Sequence, residues 1–332
     1  WRTCAETRNK GEGEWQMKIP VVMISDDNFV MQTCVAITSL YKNKNESTVY
    51  EVFVVMAECS EESAKTFMKM EKADCTITLV RASLDQYRDI KQLAHISIAC
   101  LLKFDICELI PSYEKLLYLD GDIIGRKDLT EVYETDLGEN YAAAVKELYC
   151  MKKDDGCINA GIMLFNAEKM RRDRMRDILV AKRRSLGNRS SMDQQTYNMV
   201  IKNRIKYLEI KYNCVPGRLT GDVRMNYSMD ELNKLYGTNY RNAREVIKDA
   251  AIVHFATGNK PWKYTFAPCA KEWYDYYLLS PYGYKPFKRY SRWEYRIHNM
   301  IEMWKKSGWS GIREHLKQRA EQKKRTKSVD WD

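Results

Sequence analysis

The sequence has no run of about 18 apolar residues, so it offers no helix that could span a bilayer. Its first sixteen residues are polar and carry no apolar signal-peptide core. None of its ten cysteines stands in a C-x-x-C pair, and Cys and His nowhere take zinc-ligand spacing. A chain this long and core-rich is not a disulfide scaffold, so the thiols read as free and the compartment as the reducing cytoplasm. No P-loop or Gly-rich phosphate loop is present, which argues against the common nucleotidyl- and phosphotransferase architectures. No helix-turn-helix, zinc finger or aromatic sheet signature accompanies the basic charge, which argues against nucleic acid as the partner.

What is present is a globular composition: 332 residues, 30% charged, 45% hydrophobic, with a net charge of +10. The length allows one large domain with an appendage, and the charge favours acidic partners such as phosphates or an anionic membrane surface. Residues 1–16 read as an expression remnant or disordered extension, because Met17-Lys18-Ile19-Pro20 leads straight into an apolar strand. Apolar runs then alternate with helical patterns. Strands are expected at Ile19–Ile24, Val49–Met56, Cys75–Val80 and Lys115–Leu119. Helices are expected at Phe29–Tyr41, Ser60–Lys72 with Ser60 as N-cap, and Ile96–Leu109. That order predicts an α/β domain with a mostly parallel sheet. Further on, strands are expected at Tyr141–Lys146, Ile158–Phe165 and the end of Ala250–His254, and helices at Ala167–Arg184 and Asp193–Lys202. From Tyr295 to Arg325 the pattern is amphipathic, broken by Gly308 and Gly311. The division expected is a catalytic domain over 17–275 and a basic, aromatic helical region over 276–332.

Three clusters carry chemistry. Asp120-Gly121-Asp122 follows an apolar strand, at the sheet edge where open α/β folds bind ligands. A turn at Gly121 lets both carboxylates converge on one hard divalent cation, which can also hold a diphosphate; a solvated turn is the other reading. His254 also follows a strand, with Gly258, Lys260, Pro261 and Trp262 at fixed offsets. Gly258 permits close backbone approach to a phosphate, and Lys260 supplies a point charge for it; a purely structural histidine is the alternative. Ser25-Asp26-Asp27-Asn28 ends the first strand. Its polar groups either read a base or ribose, or cap the following helix through Asp27 or Asn28.

Together these clusters resemble the family 8 glycosyltransferases, retaining, manganese-dependent enzymes of GT-A fold, over about Ile19 to Trp262. The resemblance includes His95-Ile96-Ser97-Ile98, Asn159 to Asn166 and Asp193-Gln194-Gln195. It looks most like bacterial galactosyl- and glucosyltransferases that build surface glycans. It implies that Asp120, Asp122 and His254 hold Mn²⁺, with Mg²⁺ as the alternative, against the donor diphosphate. Asp26 and Asn28 would contact the uridine and Ile24 would line the base pocket. Lys260 and the backbone of Gly258 and Gly121 would serve the phosphates. Asp193, Gln194 and Asn159 would lie beside the transferred sugar. Lys103 stands where the family usually has Arg and is implied as a donor contact, keeping the charge without a bidentate fork. Thr257 occupies the usual glycine slot, with Gly258 one place later.

The implied reaction moves glucose or galactose from a UDP-sugar to a glycan or lipid-linked saccharide, with front-face substitution at the anomeric carbon. A glycosidase would need a free carboxylate pair, but Asp120 and Asp122 are committed to the metal and Gln194 is a poor nucleophile. A nucleotidyl- or phosphotransferase using the same metal site and a non-catalytic glycan-binding protein are the rival readings. The enzyme is expected in the cytoplasm. Its C-terminal aromatic and basic residues either pack on the catalytic domain or attach it to an anionic membrane face.

Overall fold

The computed structural model describes residues 16–90, 97–148, 156–187, 192–220 and 227–326. A seven-stranded sheet organises it, with strand order β3-β2-β1-β4-β7-β6-β8. The strands are β1 (Met17–Ser25), β2 (Thr48–Ala57), β3 (Cys75–Ala82), β4 (Lys115–Leu119), β6 (Ala142–Lys146), β7 (Ile158–Asn166) and β8 (Ile205–Leu208). A separate two-stranded ribbon pairs β5 (Ile123–Gly125) with β9 (Ile252–His254). β7 is the one antiparallel member of the large sheet, pairing so with both β4 and β6. The mixed, mostly parallel α/β sheet expected from the strand-helix alternation is therefore what forms.

The central strands are apolar on both faces because both faces are covered. On β1, Ile19, Val21 and Met23 face a layer built on helix Val30–Asn43. Val22 and Ile24 face the opposite layer, which contains Leu101, Phe104, Met170, Leu179 and Tyr197. A third cluster gathers Trp262, Trp273 and Tyr277 around β9 and the outer side of helix Val30–Asn43.

Several expected elements differ in detail. Ser60 does cap helix Glu61–Met68, accepting the Ser63 N–H. Asp27 joins the same cap, accepting from Ser60 N and from the Ser63 hydroxyl at 2.6 Å. It therefore caps the second helix rather than the one that follows it, whose N-cap position, Phe29, makes no side-chain cap. The stretch expected as helix Ile96–Leu109 is a 3₁₀ segment, Ile98–Phe104, followed by a short α-turn, Ile106–Leu109; Ile96 lies outside the described residues. The long basic helix breaks into Ala167–Arg172 and Met175–Ser185, because Arg174 takes a left-handed backbone at φ 52°. Helix Arg292–Thr326 runs past Gly311, but Gly308 at φ 60° and ψ −163° is non-helical and kinks it. Helix Ala270–Leu279 passes through the boundary expected at 275/276, with Trp273 and Tyr277 buried against the domain.

Candidate active site

β1 and β4 are parallel neighbours, with Val22 level with Tyr118, so Ser25-Asp26 and Asp120 leave the sheet at adjacent strand ends. β7 runs the other way beside β4, which brings Asn159, Ala160 and Gly161 alongside the same end. The Asp120 N–H donates to Gly161 O at 2.7 Å. β5 turns back after Asp122 and pairs Ile123 with His254, and the Phe255 N–H donates to Asp122 O. Two short hydrogen-bonded ribbons thus draw residues 120, 122 and 254 together.

His254 Nε2 lies 3.2 Å from Asp122 Oδ1 and 3.6 Å from Asp120 Oδ2. One ligand atom from each of the three residues falls within 4.8 Å of the others. Two carboxylate oxygens and one imidazole nitrogen form a donor set suited to Mn²⁺ and compatible with Mg²⁺. Space is kept for it: a Cβ on Gly161 would come within 2.3 Å of the His254 ring and 2.7 Å of Asp120 Oδ2. The residues present therefore fit a divalent cation.

Two lysines balance these carboxylates differently. Lys260 Nζ donates to Asp122 Oδ2 at 2.7 Å and to Phe255 O at 2.6 Å, and lies 5.4 Å from the Trp262 ring centre. Burial raises the proton affinity of Asp122, but the Lys260 charge and His254 outweigh it, so its carboxyl is held well below the usual carboxylate range. Lys103 is fully enclosed. Its ammonium donates to Asp193 Oδ2 at 2.5 Å and to Ala160 O at 2.8 Å, lies 3.6 Å from Asp120 Oδ1, and packs 4.3 Å from the Tyr118 ring centre. Desolvation works against its charge, yet Asp120 and Asp193 more than compensate and hold it above the ordinary lysine range. An ammonium has three protons to donate, and three internal oxygens surround this one. Lys103 is thus a buried tie between Asp120 and Asp193.

Asp193 and Gln194 lie in the first turn of helix Met192–Val200. The Gln194 carbonyl accepts the Ala160 N–H at 3.2 Å. Asn159 is buried, with its side chain bonded to Glu147, Asn213 and the Gly161 N–H. On the β1 side, Asp26 accepts from the Asn28 N–H at 3.0 Å and from the Ser97 hydroxyl at 2.9 Å, and Ile24 is buried beneath it. Asn28 is exposed. His95, in the same sequence block as Ser97, lies outside the described residues.

The two glycines differ. Gly121 takes no positive φ; a Cβ there would come within 2.6 Å of Thr33 Oγ1, so close packing on helix Val30–Asn43 demands glycine. At Gly258 a Cβ would meet no heavy atom within 4 Å among the described residues, so its freedom faces open space. Thr257 instead packs on the backbone of Gly217.

Sequence reasoning missed Asn213 and Glu147. Asn213 Oδ1 lies 2.9 Å from His254 Nδ1, and Asn213 Nδ2 donates to Asn159 Oδ1 at 2.9 Å. Asn159 Nδ2 in turn donates to Glu147 Oε2 at 2.7 Å. Neither residue belongs to a motif, so no local signal marked them.

A sequence profile described as Glycosyl transferase family 8 matches residues 20–265. Glycosyltransferase GlyE of Streptococcus pneumoniae serotype 4 is 25% identical over 264 residues, covering 79% of this chain and 61% of that protein. Lipopolysaccharide 1,2-glucosyltransferase of Escherichia coli is 22% identical over 286 residues, covering 80% of this chain and 79% of that protein. The chain spans 61% or less of the first curated relatives it matches, down to 28% for Probable glycosyl transferase Gly of Streptococcus gordonii. An active-site mutant of LgtC superposes with a TM-score of 0.67 at 21% identity, covering 80% of this chain and 96% of that one. The galactosyltransferase LgtC with donor and acceptor sugar analogs gives 0.65 at 22%, with the same coverage. At these identities the likeness establishes the fold, the GT-A arrangement of LgtC.

Proposed function

The chain belongs to glycosyl transferase family 8, and from that premise we propose that it transfers a hexose, glucose or galactose, from a UDP-sugar to a glycan or lipid-linked saccharide with retention at the anomeric carbon. The observation that carries this reading is the convergence of Asp120, Asp122 and His254 beside Lys260. Asp120, Asp122 and His254 would hold Mn²⁺, or Mg²⁺ in its place, whose Lewis acidity would stabilise charge on the departing diphosphate. Lys260 keeps a cation at the same place, and the open space at Gly258 lets phosphate oxygens approach the backbone. Asp26, Asn28 and Ile24, together with Ser97, supply polar and apolar contacts for the uridine from the neighbouring strand end.

Asp193, Gln194 and Lys103 define the sugar side. The Lys103 tie fixes the Asp193 carboxylate in place, so it accepts from sugar hydroxyls and is a weakened nucleophile. Gln194 spends its carbonyl on the Ala160 N–H, which leaves its amide nitrogen to donate. With no uncommitted carboxylate beside Asp193 and Gln194 among the described residues, substitution on the front face fits best. The departing phosphate oxygen then takes the acceptor's proton.

The acceptor side extends the reading to the C-terminal helix. Among the described residues no helix is long and apolar enough to cross a membrane. Exposed Trp293, Trp304 and Trp309 interleaved with basic side chains suit peripheral attachment to an anionic membrane face, where a cytoplasmic enzyme would meet lipid-linked acceptors. The test of the proposed reaction is a donor screen with UDP-glucose, UDP-galactose and their N-acetyl forms. The expected result is UDP release from a hexose donor. Release of hexose 1-phosphate with transfer of the uridylyl group instead would replace the reading with nucleotidyl transfer.

A further inference from the structure

Four side chains lie in a line behind the metal-ligating cluster: Glu147, Asn159, Asn213 and His254, each less than 8% exposed. We infer that this line is a hydrogen-bond relay that fixes the tautomer of His254, making Asn213 a positioning residue for the metal site; the inference rests on the metal-dependent reading above. Its polarity follows from one group that cannot reverse. The Gly161 N–H can only donate, and it meets Asn159 Oδ1 at 2.9 Å. Asn159 therefore presents its oxygen to Asn213 and its amide nitrogen to the Glu147 carboxylate, which accepts at 2.7 Å. Turning the Asn159 amide over would set N–H against the Gly161 N–H and carbonyl against carboxylate.

That orientation passes along the line. Asn213 must offer its Nδ2 to Asn159 Oδ1, at 2.9 Å, so its Oδ1 faces His254 Nδ1, also at 2.9 Å. An oxygen there requires the imidazole proton on Nδ1. When a cation is bound, the lone pair offered to it is then that of Nε2, the nitrogen 3.2 Å from Asp122 and 3.6 Å from Asp120. The opposite tautomer would place a proton where the cation belongs and face a lone pair with the Asn213 oxygen. Within the relay Asn159 Oδ1 accepts twice and its amide nitrogen donates once. Three structural pieces meet in it: β7 carries Asn159 and Gly161, Glu147 directly follows β6, and the 3₁₀ turn Ile210–Asn213 brings Asn213. A partner of this kind orients a ligating histidine and tunes its basicity, and loss of one typically costs about 10- to 100-fold in metal affinity.

The experiment uses the metal-free full chain, with long-range ¹⁵N–¹H spectra of its four histidines. The His254 signals are identified by their loss in His254→Gln. The expected wild-type result is a His254 with a proton held on Nδ1. Asn213→Leu should no longer hold the proton on Nδ1 and should weaken Mn²⁺ binding, read from the paramagnetic resonance of free Mn²⁺, by about 10- to 100-fold. Asn213→Asp keeps an acceptor facing Nδ1 but loses the donor to Asn159, and should retain the Nδ1 proton and more of the affinity than Asn213→Leu. A wild-type Nδ1 that carries no proton would overturn the relay and needs no variant to fold. So would a folded Asn213→Leu that binds Mn²⁺ as the wild type does. Failure of the wild type itself to bind Mn²⁺, with the proton on Nδ1, would instead overturn the metal reading and with it the purpose assigned to Asn213.

Discussion

At the strand ends, buried charges lie against counterparts: Lys103 between Asp120 and Asp193, Lys260 on Asp122, His254 backed by Asn213. On helix Arg292–Thr326 the relation is reversed, and Trp293, Trp304 and Trp309 stand 71%, 52% and 70% exposed. Between these extremes the aromatic segment 262–290 packs firmly. Trp273 and Tyr277 are buried, Phe287 lies 4.7 Å from the Tyr277 ring centre, and Tyr290 bridges back to Tyr264. The aromatic C-terminal sequence is thus two regions, one finishing the domain and one that its own fold does not cover. The difference separates residues whose geometry is set before any ligand arrives from residues whose apolar surface is left for something outside the described fold.

If the strand ends are preorganised by charge pairing, removing one buried partner should cost far more than altering any exposed ring. Lys103→Met leaves Asp193 and Asp120 without their enclosed cation and should lower unfolding free energy by about 3–5 kcal/mol. Urea denaturation checks this, and a loss below about 1 kcal/mol would mean the tie is not what holds these carboxylates. Lys260→Ala is the next largest. Its ammonium is partly exposed, so the effect should fall on turnover, by about 2–4 kcal/mol of transition-state stabilisation. Steady-state kinetics that showed only weaker acceptor binding, with turnover intact, would remove Lys260 from the phosphate site. Gln194→Ala should impair transfer by about 1 kcal/mol, the worth of one hydrogen bond, and leave UDP affinity near wild type. A collapse of UDP binding in calorimetry would move the residue to the nucleotide pocket. Replacing Trp293, Trp304 and Trp309 together by Ala should change stability least, within about 0.5 kcal/mol for each. The same triple variant should lose sedimentation with anionic vesicles at low salt. Unchanged sedimentation would show that these rings do not form the membrane-facing surface.

The sequence revealed what is local. β4 was legible to the residue as Lys115–Leu119, because five apolar or amphipathic residues are bounded by Pro111 and the D-G-D turn. The N-cap at Ser60 and the pairing of chemistry at Asp120, Asp122 and His254 were legible for the same reason: residue type, spacing and a strand ending coincide. β8 was not, since only the two ends of Ile205–Leu208 are buried and its middle is polar. β5 was missed because it is three residues long and exists only through its pairing with β9. The 3₁₀ character of Ile98–Phe104 comes from packing, not from any turn residue; its apolar residues gave a helical pattern whose pitch the sequence does not record. Lys103 was read as a donor contact, yet its three oxygen partners come from β7, the strand end after β4 and helix Met192–Val200, which no local pattern unites. Asn213 and Glu147 acquire meaning only from their positions behind His254.

Transfer as proposed depends on a metal held by Asp120, Asp122 and His254. The most direct measurement is UDP release from UDP-hexose by the full chain under three conditions: with Mn²⁺, after chelation, and after Mn²⁺ is restored to the chelated protein, with Asp120→Ala and Asp122→Ala run beside it. Release should stop on chelation, return with the metal, and fall at least about 100-fold in both variants while their fold remains intact. Full release in chelator, or undiminished release from either variant, would overturn the metal site.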